Sequence, residues 1–176
     1  MLAGDKMKFV FMVLFALLAG VANAQTYLID GPCEARFSPK GGATAMLVKY
    51  ISQAEKSVEV LAYSFTSKPI ADALIAAHAR GVRVEVILDD SQPTANGTQY
   101  DKLIAAGVPT WIDSKHAIAH NKVLIIDGKY YENGSFNFTA AAENVNGENA
   151  IVCPSVSGAA LFHADFIKHK SHSVRQ

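Results

Sequence analysis

Apolar positions along the chain switch repeatedly between helical and strand spacing. Ala43, Met46, Leu47, Tyr50, Ile51 and Ala54 recur at three- and four-residue intervals, which predicts a helix over 43–54 with one buried face. Val58, Val60 and Ala62 then alternate into Tyr63-Ser-Phe-Thr66 and predict a strand over 58–66. Ser67-Lys-Pro69 offers a cap and a first-turn proline for a second helix, which Gly81 stops. Val82, Val84, Val86 and Leu88 form the clearest alternation, ending at Asp89-Asp90 and a polar loop over 91–99. A short helix at 100–106, closed by Gly107, precedes a strand at 108–112. Strands at 122–126 and 130–134 flank Asp127-Gly128, a hairpin turn signal. A strand at 149–152 and a helix from 157 to about 168 complete the pattern. Strand and helix patterns that alternate without linker or repeat predict a single α/β domain.

The N-terminus follows a different pattern. A ten-residue apolar run beginning at Phe9 is preceded by Lys6 and Lys8 and followed by Ala22-Asn-Ala24. A basic region, a short apolar stretch and an A-x-A site predict a signal peptide over 1–24, cleaved near Ala24-Gln25, and a mature domain over 25–176. Export to the periplasm or medium follows from that reading, and Met7 offers a second start with more usual signal proportions. Removing Asp5, Lys6 and Lys8 from 16 basic and 16 acidic residues leaves 14 and 15. The near-neutral mature chain excludes a globally basic nucleic-acid binder, so any grip on a polyanion must be local. In an exported chain, Cys33 and Cys153 are expected to form a disulfide. Neither has the C-x-x-C partner that zinc binding favours.

Candidate chemistry concentrates in His120-Asn-Lys122-Val-Leu-Ile-Ile-Asp127, followed six residues later by Gly134-Ser-Phe-Asn137. The three-residue part H-x-K-x4-D would arise by chance in roughly two of a hundred chains this long, and the whole pattern in about a few per million. His120 and Lys122, two apart at the entry to an apolar strand, face one side and form a site for a phosphate. Asn137 reaches the same end of the hairpin as a neutral donor. Asp127 has the opposite parity and stands at the turn, where it is expected to orient the backbone.

This pattern resembles the signature of the phospholipase D superfamily at every specified position. Tyr63-Ser-Phe-Thr66, the run from Gly134 to Thr139 and Gly147-Glu-Asn-Ala150 are similar to its small bacterial endonuclease branch, over 37–166. The resemblance implies a mixed β-sheet flanked by helices on both faces, and a periplasmic homodimer that pairs two motifs around one phosphate. His120, Lys122, Asn137, Asp127 and Glu148 then form the catalytic set, with Glu148 fixing the tautomer of the nucleophilic histidine. Lys122, Asn137 and Ser135 contact the phosphate, Ser135 having hairpin bracing as its alternative role.

The implied reaction is phosphodiester hydrolysis through a phosphohistidine, with no metal or other cofactor. Nucleic acid is the expected substrate, and phospholipid head groups are the alternative. His116 and His120 would lie about 13 Å apart in extended chain, too far for one zinc. His116 is therefore assigned to a loop, Asp89-Asp90 to loop capping, and His78, His163, His169 and His172 to helical or tail positions with no partner.

Overall fold

The computed structural model describes residues 30–176. The predicted signal peptide lies outside them. The elements are β1 (Glu34–Phe37), α1 (Ala43–Ser52), β2 (Ser57–Ala62), α2 (Lys68–Ala79), β3 (Arg83–Asp89), α3 (Tyr100–Ala105), β4 (Thr110–Asp113), β5 (Lys122–Ile126), β6 (Tyr130–Gly134), α4 (Ala140–Asn144), β7 (Asn149–Pro154), α5 (Val156–Lys170) and β8 (Val174–Arg175). The strands form one open sheet in the order β1-β7-β6-β5-β2-β3-β4-β8. β2, β3 and β4 run parallel, joined through α2 and α3, and the other pairings are antiparallel. Long crossovers between parallel neighbours require such helices.

Strand parity divides the core into two layers. Val58, Val60, Val84, Val86, Leu124 and Ile126 pack with Leu47, Ile51, Ile70 and Leu74 of α1 and α2. Leu61, Ile87, Val123 and Ile125 face the other way, against Ala159 and Phe166 of α5. Helices therefore cover both faces, as the resemblance implied. Cys33 and Cys153, 120 residues apart, are joined by a disulfide. Among the described residues no helix is long and apolar enough to cross a membrane.

Three predicted segments change. The chain leaves the sheet after Ala62, and of 63–66 only Phe65 makes an isolated parallel bridge, to Phe138. Ser67 stands at the N-cap of α2 without a side-chain bond, although Pro69 does occupy the first turn. The polar loop at 91–99 contains a short 3-10 turn at Gln92–Thr94. The edge strands β1 and β8 and the five-residue α4 have no counterpart in the pattern reading. By contrast, β5 and β6 have the predicted bounds. Asp127 (φ 55°) and Gly128 (φ 63°) both adopt left-handed backbone between them, as a type I′ hairpin turn requires.

One side chain departs from ordinary core chemistry. Glu132 of β6 is fully buried on the α1 side, with neither carboxylate oxygen hydrogen-bonded. Burial pushes its carboxyl well above the usual range.

Candidate active site

The pairing register gathers the motif at one end of the sheet. Ala62 at the end of β2 lies opposite Lys122 at the start of β5. Gly134 at the end of β6 lies opposite Ala150 near the start of β7. His120, Lys122, Asn137 and Glu148 all flank these strand ends, while the Asp127 turn stands at the other end of the β5–β6 hairpin.

His120 precedes β5 and is exposed. Its ring leans on Tyr63, with centroids 4.7 Å apart. Lys122 is buried, and its Nζ donates to the carbonyl of His120 at 2.9 Å while lying 5.4 Å from the Tyr63 ring centre. Burial pulls the Lys122 pKa below its usual value, and the negative charge of Glu148 works against that pull. The site thus keeps one ammonium poised beside one imidazole. Tyr63, which the motif reading did not include, supports both.

Asn137 sits between Phe136 and Phe138, both fully buried. The Phe138 carbonyl accepts from the backbone N–H of Thr66 and Ser67, tying this segment to the one that follows Tyr63. Asn137 Oδ1 is buried without a hydrogen-bond partner, so packing holds this amide in place. Gly134 is required by crowding, because a Cβ there would stand 2.1 Å from the Asn149 carbonyl oxygen. Ser135 Oγ donates to Asn149 Oδ1 at 3.3 Å and accepts from Asn149 N at 3.1 Å, which is the bracing role.

Glu148 is partly buried, and its Oε1 accepts from Asn146 Nδ2 at 3.1 Å. Within this one chain the structure does not join it to the His120 ring. Asp127 stands apart from the site. Its Oδ1 accepts from the backbone N–H of Lys56 at 2.7 Å and Ser57 at 2.9 Å, and its Oδ2 from Glu55 at 3.1 Å. Burial would raise this carboxyl, but the three backbone donors outweigh burial and lower it. Its place in the motif is that of a clamp between the hairpin and the α1–β2 loop, as its parity indicated.

Asp89 also caps a loop, accepting from Ser91 N at 3.0 Å and Ala119 N at 2.7 Å. Of the four histidines assigned no partner, His163, His169 and His172 do have one. His163 pairs with Glu59 at 2.8 Å, while His116, His169 and His172 all approach Asp113. Spacing could not reveal that group, because His169 lies 56 residues from Asp113.

A family model described as "Cardiolipin synthase, PLD-like domain" matches residues 47–170. The chain is 38% identical over 135 residues to a phospholipase D of Rickettsia conorii, covering 77% of this chain and 68% of that protein. It is 32% identical over 136 residues to a mitochondrial cardiolipin hydrolase of Chlamydomonas reinhardtii, covering 77% and 60%. The fold matches the crystal structure of a phospholipase D family member, Nuc from Salmonella typhimurium, with a TM-score of 0.79 and 34% identity. That match covers 82% of this chain and 97% of Nuc.

Proposed function

The chain belongs to the phospholipase D superfamily of phosphodiester hydrolases, and from that premise we propose that it is an exported, metal-independent endonuclease that works as a homodimer with one shared active site. The observation that carries the reading is a single set of His120, Lys122 and Asn137 at one open end of the sheet. Two-step phosphoryl transfer needs one group to attack phosphorus and another to protonate the departing oxygen. One chain supplies one such histidine, so the second comes from a partner copy.

In the first step, neutral His120 of one subunit attacks phosphorus and the P–O bond to the leaving group breaks. The cationic His120 of the partner gives its proton to that oxygen. The partner, now neutral, takes a proton from water, whose oxygen attacks the phosphohistidine and releases phosphate monoester and free imidazole. Two Lys122 ammonium groups and two Asn137 amides surround the equatorial oxygens and stabilise their charge, the task a divalent ion performs elsewhere. One histidine acts as base and the other as acid, so the rate follows a bell-shaped pH profile. Glu148 orients the nucleophilic ring once the dimer is assembled.

Nucleic acid is favoured because His120 is exposed at the strand ends, and because nearly the whole of Nuc aligns with this chain. The disulfide supports export, since such bonds persist outside the cytosol. A phospholipid substrate is the second reading, favoured by the names of the Rickettsia and Chlamydomonas relatives. Plasmid DNA incubated with the purified protein in EDTA should be nicked. No nicking, together with choline release from phosphatidylcholine vesicles, would replace the nuclease reading with the lipid one.

A further inference from the structure

Beside the phosphodiester site, four metal-ligating side chains meet that the proposed reaction does not use. Asp113 ends β4 and is fully buried. Three ring nitrogens approach its Oδ2: His169 Nδ1 at 2.6 Å, His116 Nδ1 at 3.1 Å and His172 Nε2 at 3.2 Å. One ligand atom from each of the four residues can be chosen so that all lie within 4.8 Å of one another. The three rings face a common point, with centroids 4.9, 5.1 and 5.6 Å apart.

A carboxylate oxygen has two in-plane lone pairs, so it cannot serve three ring nitrogens at once with good hydrogen-bond geometry. A cation shared among the four atoms removes that conflict. In a tetrahedral site with bonds of about 2.0–2.2 Å, ligand atoms stand roughly 3.3–3.5 Å apart. The His116 and His172 separations from Asp113 Oδ2, 3.1 and 3.2 Å, already approach that length, and the 2.6 Å His169 contact would open to it as the ion takes the place of the shared proton. We infer that Asp113, His116, His169 and His172 form a closed site for a borderline divalent transition metal, zinc foremost, held by three nitrogens and one oxygen.

The surroundings agree with that assignment. Binding through Nδ1 leaves Nε2 of His169 pointing outward, 3.3 Å from the Asn121 amide and 3.6 Å from the Asp165 carboxylate. Polar groups behind a ligating imidazole orient its ring. Absence of thiolate argues against copper(I), and three imidazoles argue against magnesium or calcium. Four protein ligands leave no open position, which is the signature of a structural site.

The site joins parts of the chain that sequence keeps apart. His116 belongs to the loop that leads to His120, while His169 and His172 end and follow α5. His169 also lies 3.3 Å from the Asn121 amide, next to His120. A metal here would pin the His120 loop against α5 without entering the hydrolytic steps. Chelation therefore lowers stability and leaves turnover intact below the melting temperature, whichever phosphodiester is cleaved.

The test uses untagged mature protein stripped with a chelator, then titrated separately with Zn2+ and Co2+. One ion per chain is expected, bound tighter than about 1 µM, with Tm rising about 5–10 °C at saturation. Co2+ should show the intense visible bands of four-coordinate geometry. His116→Ala and His172→Ala alter a loop and a turn, and each should weaken binding at least about tenfold. His78→Ala, on α2, should not. Failure of both ions to raise Tm, six-coordinate cobalt bands in the wild-type protein, or undiminished binding in the two variants would each overturn the assignment.

Discussion

Lys122 folds back so that its ammonium donates to the carbonyl of His120 at 2.9 Å, binding the two motif residues into one unit. Removing either should therefore disable the whole site. His120→Ala is expected to abolish hydrolysis. Lys122→Ala should lower kcat by at least about a thousandfold, because under the proposed shared-site mechanism each site loses two charge-stabilising donors. Steady-state kinetics checks this, with circular dichroism to show retained fold. A Lys122→Ala enzyme within tenfold of wild type would remove the ammonium from the mechanism.

The same lysine sets an alkaline limit. Burial lowers its pKa below 10.5, so rising pH strips its proton earlier than for an exposed lysine and takes away charge from the phosphate site. The kcat/KM profile should fall on the alkaline side below that value. Lys122→Arg keeps its charge, so any residual activity should lose that particular fall.

Asp127 should prove structural. Asp127→Ala leaves the N–H groups of Glu55, Lys56 and Ser57 without their acceptor and should cost about 2–4 kcal/mol, with kcat unchanged. Its folded pKa lies below the unfolded value of 3.8, so its stabilisation is complete above that value. It is lost as pH falls through the folded value. Denaturant melts should show the gap between wild type and variant narrowing once pH drops below about 4.

Glu132 gives the opposite sign. Its folded pKa is raised, so stability is lost as pH rises from the unfolded carboxyl value toward the folded one. Glu132→Gln removes that loss. Calorimetry should find the variant a few degrees more stable than wild type near pH 8 and close to it near pH 4 (about 2–4 °C per kcal/mol). Equal melting points at both pH values would contradict a buried, ionisable Glu132.

Opening the Cys33–Cys153 bond should be costly because it closes a long loop. The double serine variant is expected to lose about 4–5 kcal/mol by chain entropy. Thiol titration of the unfolded wild-type protein should find no free cysteine.

The fold was legible where local pattern and tertiary demand agree. Lys122–Ile126 and Tyr130–Gly134 alternate cleanly around Asp127-Gly128, and the structure keeps those bounds. Residues 63–66 misled because their aromatic content favours a strand. There the chain must turn out of the sheet so that Phe65 can meet Phe138 and Tyr63 can reach His120. β1 was invisible because Glu-Ala-Arg-Phe lies at an edge and is mostly exposed, with no buried alternation to read. Within the site, spacing located His120, Lys122 and Asn137, whereas Tyr63 and the Asp113 histidine group depend on strand order and on where α5 ends. No sequence interval encodes those placements.

Whether two chains build one active site is decided by mixing subunits. Wild-type protein is unfolded and refolded with a ninefold excess of His120→Ala, and nicking is measured per wild-type chain. Random pairing leaves only about a tenth of wild-type chains with a wild-type partner, so activity should fall to about that fraction. Activity per wild-type chain that is unchanged by the excess would show that each chain carries a complete site and would rule out a shared one.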